Sequence, residues 1–318
     1  MSFENPLRCV EIFSSYLSDA AQNLAFEEYL LETLPKATIR LLFYRNSDSV
    51  VIGRHQNPWL ESNVPFLKKH GIKLIRRISG GGAVFHDAGN LNFSFIMEKE
   101  IFNRERNLTI ILRALDKLGI RGDLNKRFDL MYGDRKFSGN AFCFRRGKVI
   151  HHGTILLKTT LHKLRLSLQG MVDNINTAAT RSTPSPVLNL CDVFPALNPE
   201  EVEDAVKGTL RQVWGKSAQI QKTAVCDFPD YNNDKIEELY RRNLSWEWNY
   251  GRTPDFYFFL PSFNGLKGRI DLKVKKGFIV DVYTESQELK SFLIDKFKGS
   301  PFEPELVNVF FIGIRNEV

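Results

Sequence analysis

Three consecutive glycines, Gly80 to Gly82, follow an arginine pair and precede a strand-like run in the stretch RRISGGGAVFHDAGNLNFSF. Apolar and β-branched residues on both sides predict two strands that flank a tight loop. Because glycines lack a Cβ atom, they can adopt positive φ and turn several N–H groups toward one point. Arg76 and Arg77 add fixed positive charge, and a guanidinium can bind a phosphate or carboxylate through two hydrogen bonds. The stretch predicts a site for an anionic ligand, with a solvated glycine-rich hairpin as the alternative.

Two common phosphate-binding loops are excluded by the residues that follow the glycines. A P-loop needs Gly-Lys-Ser/Thr, which does not follow Gly82. The GxGxxG dinucleotide pattern must lead into a helix, whereas the run AVFH indicates a strand. If the loop binds an anion, it therefore does so as neither a P-loop nor a dinucleotide-binding loop.

A second motif, GDRKFSGNA, places Lys136 on a predicted strand directly after a turn. The small residues Ser138, Gly139 and Ala141 follow it and would let a ligand lie against the backbone. A single lysine on a strand usually faces solvent. The glycine loop and this lysine together, both on strands of one mixed sheet, are what a site for an activated carboxylate needs.

Length and composition predict a globular protein with a sizeable core. The chain has 318 residues, 43% hydrophobic and 12% aromatic, enough for two domains or one large domain with an appendage. Its net charge of +7 favours an acidic partner, which could be a nucleic acid, a nucleotide or an acidic protein surface. Basic residues fall in separate short groups rather than in one arm or helix. Charge alone therefore leaves nucleic-acid binding open.

The sequence predicts neither a structural metal site nor a membrane span. None of the cysteines forms a CxxC pair or lies near a histidine at metal-ligand spacing, so reduced thiols are expected. His151 and His152 are adjacent on a predicted strand and would point to opposite faces. No run of about 18 apolar residues is present, and the first residues lack the features of a signal or transit peptide. The four cysteines are Cys9, Cys143, Cys191 and Cys226.

Apolar periodicity predicts the elements that position these motifs. We expect helices over 17–34, 59–71, 107–120 and 198–215, two strands within 38–54, and a β-meander over 128–157 with turns at Gly133-Asp134 and Arg146-Gly147. A small α+β unit is expected to follow, with strands in 269–283 and a helix over 286–299. The boundary is placed near Asn243, giving a catalytic domain over 1–243 and an accessory domain over 244–318, with Trp246, Trp248 and Tyr250 packed between them.

Five blocks of sequence together resemble the lipoate-protein ligase A and lipoyltransferase family. They occur in family order through both predicted domains: SVVIGRHQNPW, RRISGGGAVFHDAGNLNFSF, GDRKFSGNA, HHGTILL and SWEWNYGRTPDF. The resemblance implies an α+β fold shared with biotin-protein ligases, with a mixed β-sheet flanked by helices and a small α+β C-terminal accessory domain. It also implies binding of lipoyl-AMP and transfer of its acyl group to a lysine.

The resemblance assigns roles to individual residues. Lys136 is expected to be catalytic and to contact both the acyl carbonyl and the phosphate, and His86 and Asp87 are candidates for a general base. No metal ligand is assigned. The residues expected to bind lipoyl-adenylate are Arg77, Gly80, Gly81, Gly82, Ala83, Val84, Phe85, His86, Arg127, Lys136, Thr154, Thr183 and Ser185.

Two departures from the bacterial pattern resemble the mitochondrial lipoyltransferases. Phe128 in KRFDL stands where bacterial ligases usually have asparagine, and AATRSTPSPVLNL replaces a Val-Arg-Ser-Arg-Val-type stretch. Both changes remove contacts that a triphosphate would use. We therefore expect a lipoyltransferase that moves an activated lipoyl or octanoyl group from lipoyl-AMP or from another lipoylated protein. The alternatives are a complete ATP-dependent ligase that uses ATP and Mg, and a non-enzymatic nucleic-acid-binding protein.

The same resemblance predicts the partners and the compartment. The expected acceptors are the lipoyl domains of 2-oxoacid dehydrogenase acyltransferase subunits and the glycine-cleavage H protein. Neither a membrane nor a nucleic acid is expected as a partner, and a monomer is expected. The mitochondrial matrix is the expected location, or the cytoplasm if the protein is bacterial.

Overall fold

A computed structural model of the protein describes residues 9–170, 174–214, 219–224, 233–260, 269–307 and 310. The helices are α1 (Ala20–Glu32), α2 (Pro58–Glu61), α3 (Val64–His70), α4 (Arg104–Lys117), α5 (Leu161–Leu168), α6 (Pro199–Trp214), α7 (Asp234–Leu244), α8 (Trp246–Asn249) and α9 (Gln287–Phe297). The strands are β1 (Cys9–Ser15), β2 (Thr38–Tyr44), β3 (Ser49–Ile52), β4 (Lys73–Arg76), β5 (Val84–His86), β6 (Asn90–Glu98), β7 (Asp123–Leu124), β8 (Leu130–Tyr132), β9 (Arg135–Ser138), β10 (Asn140–Arg145), β11 (Lys148–Leu156), β12 (Ile175–Thr177), β13 (Gln219–Ala224), β14 (Phe256–Leu260), β15 (Ile270–Lys275) and β16 (Phe278–Tyr283).

A six-stranded mixed sheet in the order β10-β11-β6-β2-β1-β13 forms the centre of the molecule. β1 pairs in parallel with β2 and β13, and the other pairs are antiparallel. Because side chains alternate along a strand, Leu41 and Phe43 pack with α4 and α6 on one face. Leu42 and Tyr44 pack with α1 and α7 on the other face. The predicted α+β fold with helices on both faces of a mixed sheet is confirmed.

Local backbone chemistry explains how three of the helices begin or end. Gly71 ends α3 in the left-handed conformation with φ 64°. Asn198 caps α6 by accepting a hydrogen bond from the Glu201 N–H at 2.8 Å. Asp19 likewise caps α1 through the N–H groups of Ala21 and Gln22.

Two smaller sheets carry the two motifs. The sheet β4-β3-β5 holds the glycine loop between β4 and β5, and the sheet β7-β8-β9 holds Lys136. The expectation that both motifs lie on strands of one mixed sheet is therefore wrong. The tight turn at Gly133-Asp134 pairs β8 with β9, so the predicted meander divides between two sheets. The two strands within 38–54 also separate, since β2 joins the central sheet and β3 the sheet of the glycine loop.

A fourth sheet, β12-β14-β15-β16, is antiparallel and packs against α9. Its core includes Phe256 and Leu272 together with Trp59 and Val64 from α2 and α3. The sheet also takes β12 from the first 243 residues. The domain boundary near Asn243 stays a prediction.

Among the helices of the described residues, none is long and apolar enough to cross a membrane.

Candidate active site

The glycine loop is built around the guanidinium of Arg77. Its Nη2 donates to the carbonyls of Gly80 at 2.6 Å and Gly82 at 2.8 Å, and its Nη1 donates to the Val51 carbonyl at 3.1 Å. The side chain is buried, and burial lowers the pKa of Arg77 to about 10. Arg77 therefore stays charged at neutral pH and holds the loop closed from within.

Two glycines of this region are required by the backbone. Gly81 has φ 88°, whereas Gly80 and Gly82 do not adopt positive φ. A Cβ atom on Gly53 would lie 2.1 Å from the carbonyl oxygen of Gly81. The loop thus lies directly on Gly53, and one of its three glycines uses the left-handed conformation.

Arg76 lies on the other side of the strand and does not reach the loop. Its guanidinium donates to backbone carbonyls of the 53–56 segment and of Trp248 and Asn249, and to the Thr253 hydroxyl at 3.0 Å. The interpretation that both arginines bring charge to one place is wrong, because successive side chains of an extended segment point in opposite directions. Arg76 is a structural residue.

A buried chain of hydrogen bonds supports the loop from the central sheet. The Nδ1 of His152 lies 3.0 Å from Glu27 Oε1, and its Nε2 lies 2.7 Å from Ser79 Oγ. Ser79 Oγ also accepts from Arg77 Nε at 2.8 Å. The order Ser-His-Glu is that of a hydrolytic triad, but Ser79 is buried and lines neither cavity described below. These hydrogen bonds therefore position the glycine loop.

Lys136 forms an ion pair with Asp129, with Nζ and Oδ1 separated by 2.8 Å. The backbone of Lys136 bonds to Pro186 and Leu188, which ties β9 to the segment 180–188. A Cβ atom on Gly139 would lie 2.8 Å from Lys136 Nζ, so glycine at this position leaves room for the ammonium. The Lys136 ammonium thus lies between the buried Asp129 carboxylate and the backbone of Gly139, which has no side chain to displace it.

The turn 125–129 carries Asp129 and Arg127. The side chain of Asn125 accepts from the N–H groups of both residues, and Arg127 Nη2 donates to Ser185 Oγ at 2.8 Å. Phe128 has φ 65°, and the guanidinium carbon of Arg104 lies 4.3 Å from the centre of its ring. The Phe128 ring therefore packs on α4 and lines neither cavity.

Two adjoining cavities meet at Lys136. The first has a volume of about 320 Å³ and extends past the glycine loop to Leu24, Tyr44 and Val51. The second has a volume of about 400 Å³ and lies between α5 and the segment 181–187. The residues that line both are Ala83, Val84, Lys136, Gly139, Thr154, Arg181, Ser182 and Thr183.

Most of the expected site residues lie on these walls. Phe85 and Ser185 line only the second cavity, and Gly80 lines neither. The first cavity is lined by Arg77, Gly81, Gly82, Ala83, Val84, His86, Arg127, Lys136, Thr154 and Thr183.

Several lining residues were not singled out from the sequence. Asp129 could have been found from its place in KRFDL, two residues after Arg127. Ser182 accepts from the Ala83 N–H at 2.9 Å and from Gln56, contacts that join residues far apart in the chain. No local pattern marks such a residue.

Neither candidate for a general base has the properties of one. Burial, with Arg77 and His152 nearby, lowers the pKa of His86 to about 3, so its ring is neutral and holds a proton poorly. Its Nδ1 bonds to Asn46, and its Nε2 has no partner in the described part of the chain. Asp87 accepts from the N–H groups of Gly89 and Thr160 and lines neither cavity. The Asp87 carboxylate therefore joins the turn at Gly89 to the start of α5 at Thr160.

The residues that the structure describes contain no group of three or more His, Cys, Asp or Glu side chains that could hold a metal ion.

Comparison with known proteins identifies the family. A family model described as the lipoyl protein ligase A/B catalytic domain matches residues 19–211. A lipoate-protein ligase A of Psychrobacter cryohalolentis is 34% identical, over 92% of this chain and 87% of that protein. A lipoate-protein ligase A of Bdellovibrio bacteriovorus is 33% identical, over 95% of this chain and 92% of that protein.

Solved structures agree with this result. A crystal structure of P. falciparum LipL1 in complex with lipoate has a TM-score of 0.65 and 26% identity, covering 95% of this chain and 94% of that chain. A crystal structure of a lipoate-protein ligase A bound with ATP has a TM-score of 0.64 and 25% identity, covering 76% of this chain and 98% of that chain. The fold is that of the lipoate ligases. The chain belongs to the lipoyl protein ligase A/B family and is an enzyme that transfers lipoyl groups.

Proposed function

We propose that this enzyme is a lipoyltransferase that moves an activated lipoyl or octanoyl group to a lysine of an acceptor protein. The donor is lipoyl-AMP or another lipoylated protein. The acceptors are lipoyl domains of 2-oxoacid dehydrogenase complexes or the H protein. The observation that carries the proposal is the position of Lys136 on the wall shared by the two cavities.

The two cavities suit the two halves of an acyl-adenylate. The first ends at Leu24 and Val51, apolar side chains that suit a hydrocarbon chain. The second brings the hydroxyls of Thr183 and Ser185 and the guanidinium of Arg181 to its wall, groups that suit a nucleotide. The mixed anhydride between acyl chain and phosphate would then lie beside Lys136.

Charge development during transfer explains the need for a fixed cation. As the acceptor amine attacks, negative charge grows on the carbonyl oxygen and then on the departing AMP. The Lys136 ammonium can stabilise both, and one such donor is typically worth about 3 kcal/mol. The acceptor lysine must be neutral to attack, and nearby positive charge lowers the pKa of an amine.

Activation by ATP is the point on which the two candidate functions differ. At the position where an asparagine is expected in ATP-using ligases, the Phe128 ring is turned toward Arg104, so no side-chain amide is present there. This supports the transferase. The name lipoate-protein ligase A of the two bacterial relatives favours a complete ligase, which would use ATP as a substrate and Mg as a cofactor. The mitochondrial location rests on the likeness of this sequence to the mitochondrial lipoyltransferases and receives no support from these relatives.

The experiment that tests the proposal compares two donors. Purified protein and a lipoyl-domain acceptor are incubated either with lipoate plus MgATP or with synthetic lipoyl-AMP, and the mass gain of the acceptor is measured. We expect the acceptor to gain mass with lipoyl-AMP but not with lipoate plus MgATP. Lys136→Ala should abolish the gain with lipoyl-AMP. A gain with both donors would show a full ligase, and a gain with neither would reject both the ligase and transfer from lipoyl-AMP.

A further inference from the structure

A path of hydrogen bonds leads from α4 across the central sheet to the turn 125–129. The Nδ2 of Asn107 lies 3.3 Å from the Nδ1 of His151, and the Nε2 of His151 lies 3.2 Å from the Oδ1 of Asn140. The Nδ2 of Asn140 donates to the Phe128 carbonyl at 2.8 Å. His151 and Asn107 are buried, whereas Asn140 begins β10 and lines the first cavity. Asn140 therefore connects the interior of the sheet to the wall of the site.

The direction of each hydrogen bond along this path is fixed. A carbonyl can only accept, so the Asn140 atom that faces Phe128 is the amide nitrogen and the atom that faces His151 is the amide oxygen. The Nε2 of His151 must therefore carry a hydrogen. Burial lowers the pKa of His151 to about 3, so the ring is neutral and its Nδ1 accepts from Asn107. These bonds give the Asn140 amide one favoured orientation.

The surrounding backbone leaves space for the Asn140 amide. A Cβ atom on Gly153, which pairs with Asn140 across the β10–β11 ladder, would lie 2.5 Å from Asn140 Oδ1. Phe128 has φ 65°, a conformation that is unfavourable for a residue with a Cβ atom. The side chain of Asn125 bonds within the turn, and Asn140 adds a hydrogen bond from the central sheet. The turn is therefore held from outside in a conformation that it would not favour alone.

This turn sets the position of the Asp129 carboxylate. Its Oδ1 lies 2.8 Å from Lys136 Nζ, and its Oδ2 accepts from Asn125 Nδ2 at 3.1 Å and lies 3.5 Å from Arg127 Nε. The carbonyl that Asn140 binds belongs to the residue directly before Asp129. A shift of this peptide would therefore move the carboxylate, and with it the ammonium of Lys136.

We propose that Asn140 is a positioning residue for acyl transfer; this inference rests on the proposed function. By holding the Phe128 carbonyl, the Asn140 amide keeps Asp129 against Lys136. The Lys136 ammonium then stays where negative charge develops during transfer. The competing role is direct contact of Asn140 with the acyl-adenylate, since Asn140 lines the first cavity.

Two variants remove the hydrogen bond to the Phe128 carbonyl. Asn140→Leu keeps nearly the volume of the side chain, and Asn140→Ala removes most of it, so the two together separate the hydrogen bond from the volume. The matched control is Asn243→Ala. Asn243 is also a buried or half-buried type of contact to the backbone, because its Nδ2 donates to the Ala21 carbonyl at 3.0 Å, and it lines neither cavity.

Two quantities are measured for each protein. The first is the single-turnover rate constant for transfer from synthetic lipoyl-AMP to a lipoyl domain at saturating acceptor. The second is acetylation of Lys136 by acetic anhydride in the enzyme without ligand, scored by mass spectrometry against the exposed Lys36. An ammonium held in an ion pair is not nucleophilic, so the acetylation reports the contact with Asp129 without depending on activity.

We expect both Asn140 variants to lose at least about tenfold in the rate constant, because a small displacement of a catalytic group is enough for such a loss. Acetylation of Lys136 relative to Lys36 should rise severalfold in both. Asn243→Ala should match the wild type in both quantities, although it loses a hydrogen bond of the same type.

Four results would overturn the inference. Neither quantity could change, or the rate could fall with unchanged acetylation, which would assign Asn140 to direct contact with the acyl-adenylate. Acetylation could rise at an unchanged rate, so that the position of the ammonium would not matter, or Asn243→Ala could change as much, which would show general loosening of the fold. If the wild type transfers no acyl group, the proposed function fails. Acetylation that rises in the Asn140 variants alone would then still show the contact with Asp129, without a role in transfer.

Discussion

Arg76 and Arg77 are adjacent in the chain and of one residue type, yet they hold different parts of the molecule. Arg77 binds the carbonyls of the glycine loop, and Arg76 binds the carbonyls of Trp248 and Asn249. The sequence predicts that this pair is important because it precedes the glycines. It does not reveal that one arginine shapes the site while the other joins distant segments.

Lysine should not be able to replace the hydrogen bonds that the Arg76 guanidinium makes. Its guanidinium donates to several carbonyls and to the Thr253 hydroxyl at once, whereas an ammonium is a compact group that cannot span them. We expect Arg76→Lys to lower the free energy of unfolding by about 3 kcal/mol, measured by urea denaturation. Arg113→Lys, on an exposed site, should change it by less than about 0.5 kcal/mol. Equal effects of the two substitutions would contradict this role for Arg76.

Two buried histidines should make stability depend on pH. Burial lowers the pKa of His86 and of His151 from 6.5 to about 3, with Arg77 and His152 beside the first and His152 and Arg104 beside the second. Below pH 6.5 the unfolded chain therefore binds more protons. The free energy of unfolding therefore has its full value above pH 6.5 and decreases as the pH falls from 6.5 toward 3. At pH 5 each histidine has lowered it by about 2 kcal/mol.

Urea denaturation at pH 7 and pH 5 measures this dependence. We expect His151→Gln to reduce the difference in unfolding free energy between the two pH values, because glutamine does not titrate. His162→Gln, at an exposed histidine, should leave the difference unchanged. An unchanged difference in His151→Gln would mean that other groups cause the pH dependence.

Among the secondary elements, local chemistry was predictable and long-range pairing was not. Gly71, Asn198 and the turn at Gly133-Asp134 act through residues within a few positions of themselves, so the sequence reveals their roles. The placement of β2 and β3 in different sheets depends on strands that lie elsewhere in the chain. The lining position of Ser182 depends on Ala83 in the same way. The remaining residues of the candidate site were predicted from the family resemblance and not from spacing.

The contact between the glycine loop and β3 should control catalysis. We expect Gly53→Ala to slow single-turnover transfer from lipoyl-AMP by at least about tenfold, because its Cβ would lie 2.1 Å from the Gly81 carbonyl and displace the loop. Gly80→Ala is the matched control, since its Cβ meets nothing within 4 Å and its φ is not positive. It should transfer at nearly the wild-type rate. If Gly80→Ala were as slow as Gly53→Ala, chain flexibility rather than this close contact would be the cause.

In the molecule as a whole, residues on both sides of Asn243 share one core. The ring of Trp59 on α2 lies 5.5 Å from Phe256 and 5.2 Å from Phe302, centre to centre. Arg76 adds hydrogen bonds to Asn249 and Thr253. Residues beyond the predicted boundary therefore support the strand that leads into the glycine loop.

Loss of Trp59 should consequently weaken the fourth sheet and the active site together. We expect Trp59→Ala to cost about 3 kcal/mol or more of unfolding free energy, since it leaves a cavity among aromatic rings. Near-UV circular dichroism and transfer activity should be lost at the same urea concentration, because the shared core makes unfolding cooperative. Tyr257→Ala, at an aromatic residue that is 36% exposed on the same sheet, should cost far less. Activity that survives after the aromatic signal of Trp59→Ala is lost would instead show that residues 1–243 hold the site without the rest of the chain.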